Sequence, residues 1–174
     1  TGTALILPLK IWERDGFLVQ TQREYIILGL YFGILLIMGI YNLFLYLYLR
    51  SSNHLYYVFY IGSAGLFHLT LNGLSYQFLW PNNPWWGSRS INFFIFSYAL
   101  FLMLFVRSVL PLKKQAPLLD RIIRYYTLWA AVMLPISFLA DFTLVMQMAI
   151  TTVILGIPLL LSAAGVALRK GLSL

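Results

Sequence analysis

The sequence predicts an all-α fold, a polytopic transmembrane bundle of five helices with its N-terminus outside and its C-terminus inside. Three observations carry this. Ile26–Leu49, Leu55–Leu79 and Phe142–Leu168 contain no Asp, Glu, Lys or Arg, and two shorter apolar stretches lie between them. Hydrophobic residues make up 61% of the chain and charged ones 10%, a balance that would not keep a soluble domain of this size in solution. The hydrophobicity is continuous, not alternating, so the spans are helices and not the strands of a barrel.

The first element is a tail. Residues 1–24 read as the end of a periplasmic, β-rich sensing domain with its linker. Leu5, Leu7, Leu9 and Ile11 alternate as in a strand, and Pro8 places that strand at an edge. Glu13-Arg14-Asp15-Gly16 reads as a turn, and Phe17–Glu24 as a polar lead into the bilayer. A strand alone is not stable, so the rest of its domain is expected upstream; a flap lying on the bilayer is the alternative. The absence of an initial Met, a basic leader and a cleavage site fits a segment of a longer protein.

Residues 25–170 form the bundle, with helices expected at about 26–49, 55–79, 91–110, 122–140 and 142–168, and 171–174 as a cytoplasmic end. At ~1.5 Å per residue the first helix reaches ~36 Å, enough to cross with some tilt. It carries Gly29 and Gly33, a GxxxG spacing that permits close helix approach, and Asn42, which needs an interhelical partner. The second helix places Gly65, His68 and Asn72 on one face, expected to turn towards the first. The third and fourth work as spans if Arg107 and Arg124 snorkel to the headgroups. Pro135 and Pro158 are expected to kink or loosen the last two helices.

Charge sets the orientation. Arg50, Arg107, Lys113, Lys114, Arg121, Arg124, Arg169 and Lys170 fall on one side; Lys10, Arg14, Arg23 and Arg89 fall on the other. The positive-inside rule makes the first set cytoplasmic anchors. The net charge of +7 is then a topology signal and a headgroup contact; no basic stripe interleaved with exposed aromatics suggests nucleic acid. Trp80, Trp85 and Trp86 crowd the outer loop as interface aromatics, with a sugar-stacking platform as the rival reading.

No catalytic residues and no metal site are expected. The two histidines, His54 and His68, lack the partners a zinc site requires. His68 reads as a hydrogen-bonded bundle residue in preference to a proton relay. The acids Glu13, Asp15, Glu24, Asp120 and Asp141 form no pair suited to general acid–base work. The absence of cysteine excludes disulfides and thiol chemistry. No cofactor is expected.

Gly29-Leu30-Tyr31-Phe32-Gly33, Tyr41-Asn42-Leu43-Phe44-Leu45-Tyr46 and Leu49-Arg50 resemble the opening helix of the bacterial seven-transmembrane receptors with diverse intracellular signalling modules. Leu55-Tyr56-Tyr57, Gly65-Leu66, Leu71-Asn72-Gly73-Leu74 and Gln77-Phe78-Leu79-Trp80-Pro81 are similar to that family's second helix and outer turn. Leu7-Pro8-Leu9-Lys10-Ile11-Trp12 is similar to the end of the family's periplasmic sensing domain.

The resemblance implies a multi-pass protein of the bacterial inner membrane that relays a periplasmic signal to a cytoplasmic output module. The external domain, not within these residues, would bind a small or carbohydrate-like ligand. The output module, also outside them, would be a kinase or a nucleotide cyclase; the bundle itself would not be an enzyme. Partners would be the lipid bilayer and the ligand, with a homodimer also allowed and no nucleic acid. The alternatives are a transporter or channel fragment, which needs polar groups converging at mid-membrane, and a non-catalytic membrane scaffold.

Overall fold

In the computed structural model, the backbone is described for residues 14–169 and the side chains for residues 18–168. Seven helices follow one another: α1 (Arg14–Leu49), α2 (Ser52–Leu71), α3 (Leu74–Phe78), α4 (Pro84–Val109), α5 (Leu112–Gln115), α6 (Pro117–Leu139) and α7 (Phe142–Arg169). No strand occurs among the described residues. The expected strand at Leu5–Ile11 lies outside them.

Among the described residues, four helices contain spans long and apolar enough to cross a membrane: Leu18–Leu49, Pro84–Val109, Pro117–Leu139 and Phe142–Leu168. The sequence suggested five. The difference is α2, whose 20 residues would reach ~30 Å. It is long enough, but Ser52, Asn53, His54, Ser63 and His68 dilute its apolar character.

The helix ends depart from expectation where local chemistry was under-read. Arg14, Asp15 and Gly16 belong to α1, not to a turn, and the helix continues unbroken from there to Leu49. The segment expected as one helix over about 55–79 is divided. Asn72 closes α2, its backbone N–H reaching the His68 carbonyl, and Gly73 takes φ 73°, a left-handed value that glycine adopts without a Cβ penalty. The short α3 follows.

The third span begins at Pro84, ahead of the expected Ile91. Asn83 Oδ1 accepts the Trp86 backbone N–H at 3.1 Å, and Pro84 occupies the first turn, where its missing N–H costs nothing. Pro117 likewise occupies the first turn of α6, there after Ala116 and without a side-chain cap. Asp141 Oδ2 accepts the Thr143 N–H at 3.1 Å at the start of α7. Pro135 and Pro158 both lie within helices that run through them.

The chain divides after Ile34 into two compact units. The described part of the first is the opening of α1, where Gln20 Nε2 donates to Glu24 Oε1 at 3.0 Å, one turn on. The second runs from Leu35 and holds the bundle, in which α4 packs against α2, α6 and α7.

Two buried clusters lie along α4. One joins Ala99, Met103 and Val106 to Leu112, Ile123, Tyr126, Ala130 and Ala163; the other joins Ile95 and Phe96 to Met133, Val145 and Ala149. Within a bilayer the lipid tails are as apolar as these side chains. Close van der Waals packing and interhelical hydrogen bonds therefore hold the helices together, in place of a hydrophobic driving force.

Candidate functional site

The contacts that cross between helices here form a seam centred on α4.

The α2 face of the seam is a ladder. Tyr57 meets Phe105 at 5.2 Å between ring centroids, Phe59 stacks on Phe101 at 4.8 Å, and Tyr60 meets Tyr98 at 5.1 Å. Ser63 Oγ and Ser97 Oγ share a hydrogen bond of 2.8 Å. Residue numbers rise on α2 as they fall on α4, so the two helices run antiparallel. The hydroxyl pair is buried, and Ala64 and Ser63 present little bulk at that level. Small side chains let the backbones approach, and each serine satisfies the other where lipid offers no partner.

The α6 face is held at both ends by arginine. Arg107 Nε donates to Asp120 Oδ1 at 2.8 Å, and Arg107 Nη2 lies 3.4 Å from Oδ2. Arg124 Nη2 reaches the same carboxylate at 3.5 Å from one turn further along α6. Asp120 is 6% exposed, so its charge depends on these two cations. At the other end Arg89 Nη1 donates to the Phe138 carbonyl at 2.8 Å, satisfying an acceptor near the carboxyl end of α6. The same guanidinium sits 5.1 Å from the Trp85 ring centre. Eighteen residue steps separate Arg89 from Arg107, and eighteen separate Asp120 from Phe138. That is ~27 Å of helix, close to the ~30 Å of a bilayer's hydrocarbon core.

Between α6 and α7 the contacts converge on Thr152. The Tyr126 hydroxyl donates to its carbonyl at 2.8 Å, and Trp129 Nε1 to its hydroxyl at 3.1 Å. Gly156 makes room: a Cβ there would lie 2.6 Å from the Tyr126 oxygen.

The residues singled out from the sequence are dispersed. Gly29 and Gly33 lie on α1 in the first unit, with nothing within 4 Å of a methyl group placed on either. Asn42 Nδ2 donates to the Met38 carbonyl at 2.9 Å, and its Oδ1 pairs with His54 Nδ1 at 3.1 Å, linking α1 to the start of α2. Gly65 faces α1, where a Cβ would touch Leu35 Cδ1 at 3.6 Å. His68 Nδ1 lies 2.9 Å from the Ala64 carbonyl, and its ring stands edge-on to Phe67. Asn72 Nδ2 donates to the His68 carbonyl at 2.8 Å at the end of α2.

Among the basic residues, Arg50 follows α1 with φ 54°, Lys113 and Lys114 lie in α5, and Arg121 is exposed on α6. Arg169 ends α7, and Lys170 lies outside the described residues. The tryptophans sit in an aromatic cluster. Trp80 meets Trp86 at 5.9 Å, Trp86 stacks on Phe138 at 5.6 Å and 9°, and Trp85 stacks on the same Phe138 at 6.4 Å. No group of three His, Asp or Glu able to hold a metal occurs among the described residues.

Sequence reasoning missed Asp120 as the partner of Arg107, the Ser63–Ser97 pair, Arg89 as a helix-end donor, and Thr152 as a double acceptor. Asp120 was the findable one, because it is the lone acid among five cations between Arg107 and Arg124.

Long apolar helices joined by sparse polar contacts define a multi-pass helical membrane protein. A family model described as 7TM diverse intracellular signalling matches residues 24–174, and the chain belongs to that family. It is a transmembrane signalling receptor domain. No curated protein and no solved structure matches the chain.

Proposed function

We propose that this bundle is the membrane core of a bacterial inner-membrane receptor, carrying a signal from a periplasmic ligand-binding domain to a cytoplasmic output module. Five helices cross, with α2 as the fifth span, the N-terminus outside and the C-terminus inside. The bundle performs no reaction; a kinase or nucleotide cyclase would act on its cytoplasmic side. The ligand would be a small or carbohydrate-like molecule held by the external domain.

The observation that carries this reading is the family match over residues 24–174, joined to a seam in which α4 packs against α2, α6 and α7. A ligand that favours one packing of α2 on α4 shifts the population towards it, by no more than its difference in affinity for the two packings. The Ser63–Ser97 level is where such a shift would be felt first, since small side chains there hold the helices through one hydrogen bond.

The test replaces Ser97 by Leu in the native gene and follows second-messenger level or phosphorelay output, with membrane insertion checked by reporter fusions in the loops. Altered output from a correctly inserted protein is expected. Unchanged output with normal insertion would remove the seam from the signalling path. Reporter fusions placing residues 112–116 and 80–83 on the same side would overturn the topology.

A further inference from the structure

An apolar groove of about 670 Å³ runs between α6 and α7, lined by Ile122, Tyr125 and Trp129 on one wall and Thr151, Leu155 and Pro158 on the other. That volume is within the ~300–1,000 Å³ typical of ligand clefts. We propose that it holds an acyl chain of an anionic phospholipid, whose phosphate lies at the basic mouth beside Arg121.

The walls dictate an apolar occupant. The Tyr126 hydroxyl and Trp129 Nε1 are both committed to Thr152, and Thr151 Oγ1 donates to the Gln147 carbonyl at 2.9 Å. These groups have their partners within the protein, so the groove offers chiefly hydrocarbon and aromatic surface. Around it, Leu118, Leu128 and Val132 on α6 and Ile154, Ile157 and Leu161 on α7 are exposed. On helices that cross a bilayer, such surfaces meet lipid tails.

The mouth dictates the sign of the headgroup. Arg121 lies one turn before Tyr125, is exposed, and has no ion-pair partner among the described residues. The one carboxylate nearby in sequence, Asp120, is already engaged by Arg107 and Arg124. Lys113 and Lys114 add charge in α5, so five cations stand against one acid from Arg107 to Arg124. The amino end of α6 lies at the same level without a side-chain cap, which adds positive potential. A basic rim above an apolar cleft between membrane helices matches a phospholipid end to end.

The experiment uses the full chain purified in mild detergent, exposed to dioleoyl phosphatidylglycerol or dioleoyl phosphatidylcholine, with bound lipid counted by native mass spectrometry. Preferential retention of phosphatidylglycerol is expected. Arg121→Gln should weaken it about fivefold, the effect of one basic residue at a membrane surface, and leave phosphatidylcholine unchanged. Leu155→Trp, a lipid-facing change that fills the groove, should reduce both, with helix content by circular dichroism held constant.

Three results would overturn the proposal. Phosphatidylglycerol retention could be indifferent to both variants. Inorganic phosphate could displace it fully, which would make the mouth a free-anion site. Alternatively, Leu155→Cys in this cysteine-free chain could cross-link readily to a second copy, making the groove a protein interface.

Discussion

Arg107 and Asp120 face each other across the turn between α4 and α6, with Nε donating to Oδ1 at 2.8 Å. The arginine side chain is 26% exposed and the carboxylate 8%, so the pair has one wet partner and one dry. Its two sides should therefore respond differently to substitution.

Arg107→Gln leaves a buried carboxylate with Arg124 alone, at 3.5 Å. Breaking a fully buried pair costs ~3–5 kcal/mol, and the exposure of Arg107 lowers that to about 2 kcal/mol. Asp120→Asn removes the charge but keeps an acceptor for Arg107, and should cost less. Unfolding of the two variants in detergent checks the order; equal losses would mean that the carboxylate's charge is not what matters.

Gly156→Ala places a methyl group against the Tyr126 hydroxyl. The ring must swing away from Thr152, leaving a buried hydroxyl without its acceptor, at a cost of ~1–3 kcal/mol. Combining it with Tyr126→Phe should recover part of that loss, because the stranded hydroxyl is gone. A double-mutant cycle reads this directly, and additivity would contradict it.

Arg50 adopts φ 54° at the end of α1, with its N–H bonded to the Tyr46 carbonyl at 2.8 Å. A Cβ is unfavourable there, so Arg50→Gly should stabilise the protein by up to ~1 kcal/mol. Gly73→Ala, at φ 73°, should lose a similar amount. Thermal midpoints that move in opposite directions are the expected result.

Ser63→Ala and Ser97→Ala each remove half of one interhelical hydrogen bond. Such bonds in membranes contribute ~0.6 kcal/mol on average, so the single losses should be small and the double variant barely worse than either. A large loss for one serine alone would show that it has a further partner.

The helical class of this chain was legible because uncharged apolar runs admit few other structures in lipid. The helix start at Pro84 is legible only once Asn83 is read as its cap, because the aromatic run that follows otherwise reads as a loop belt; Pro117 has no such cap before it. The break at Gly73 was hidden by the apolar residues on either side of it. The cross-helix pairs were not legible. Ser63 and Ser97 are distant in sequence, and nothing local to either serine names its partner. Glycine spacing, by contrast, marked Gly29 and Gly33, which says where a helix could approach and not which one does.

The inward side of α7 carries Val145, Ala149, Thr152, Gly156 and Ala163, all buried and none large. Helices normally keep their register because bulky ridges lodge in their neighbour's grooves. Along such a strip the register of α7 on α6 is marked by polar contacts as well as by packing, and the two hydrogen bonds that Tyr126 and Trp129 make both fall on one threonine. Thr152 is thus a single point on which the alignment of two helices hangs, and a change there reaches both.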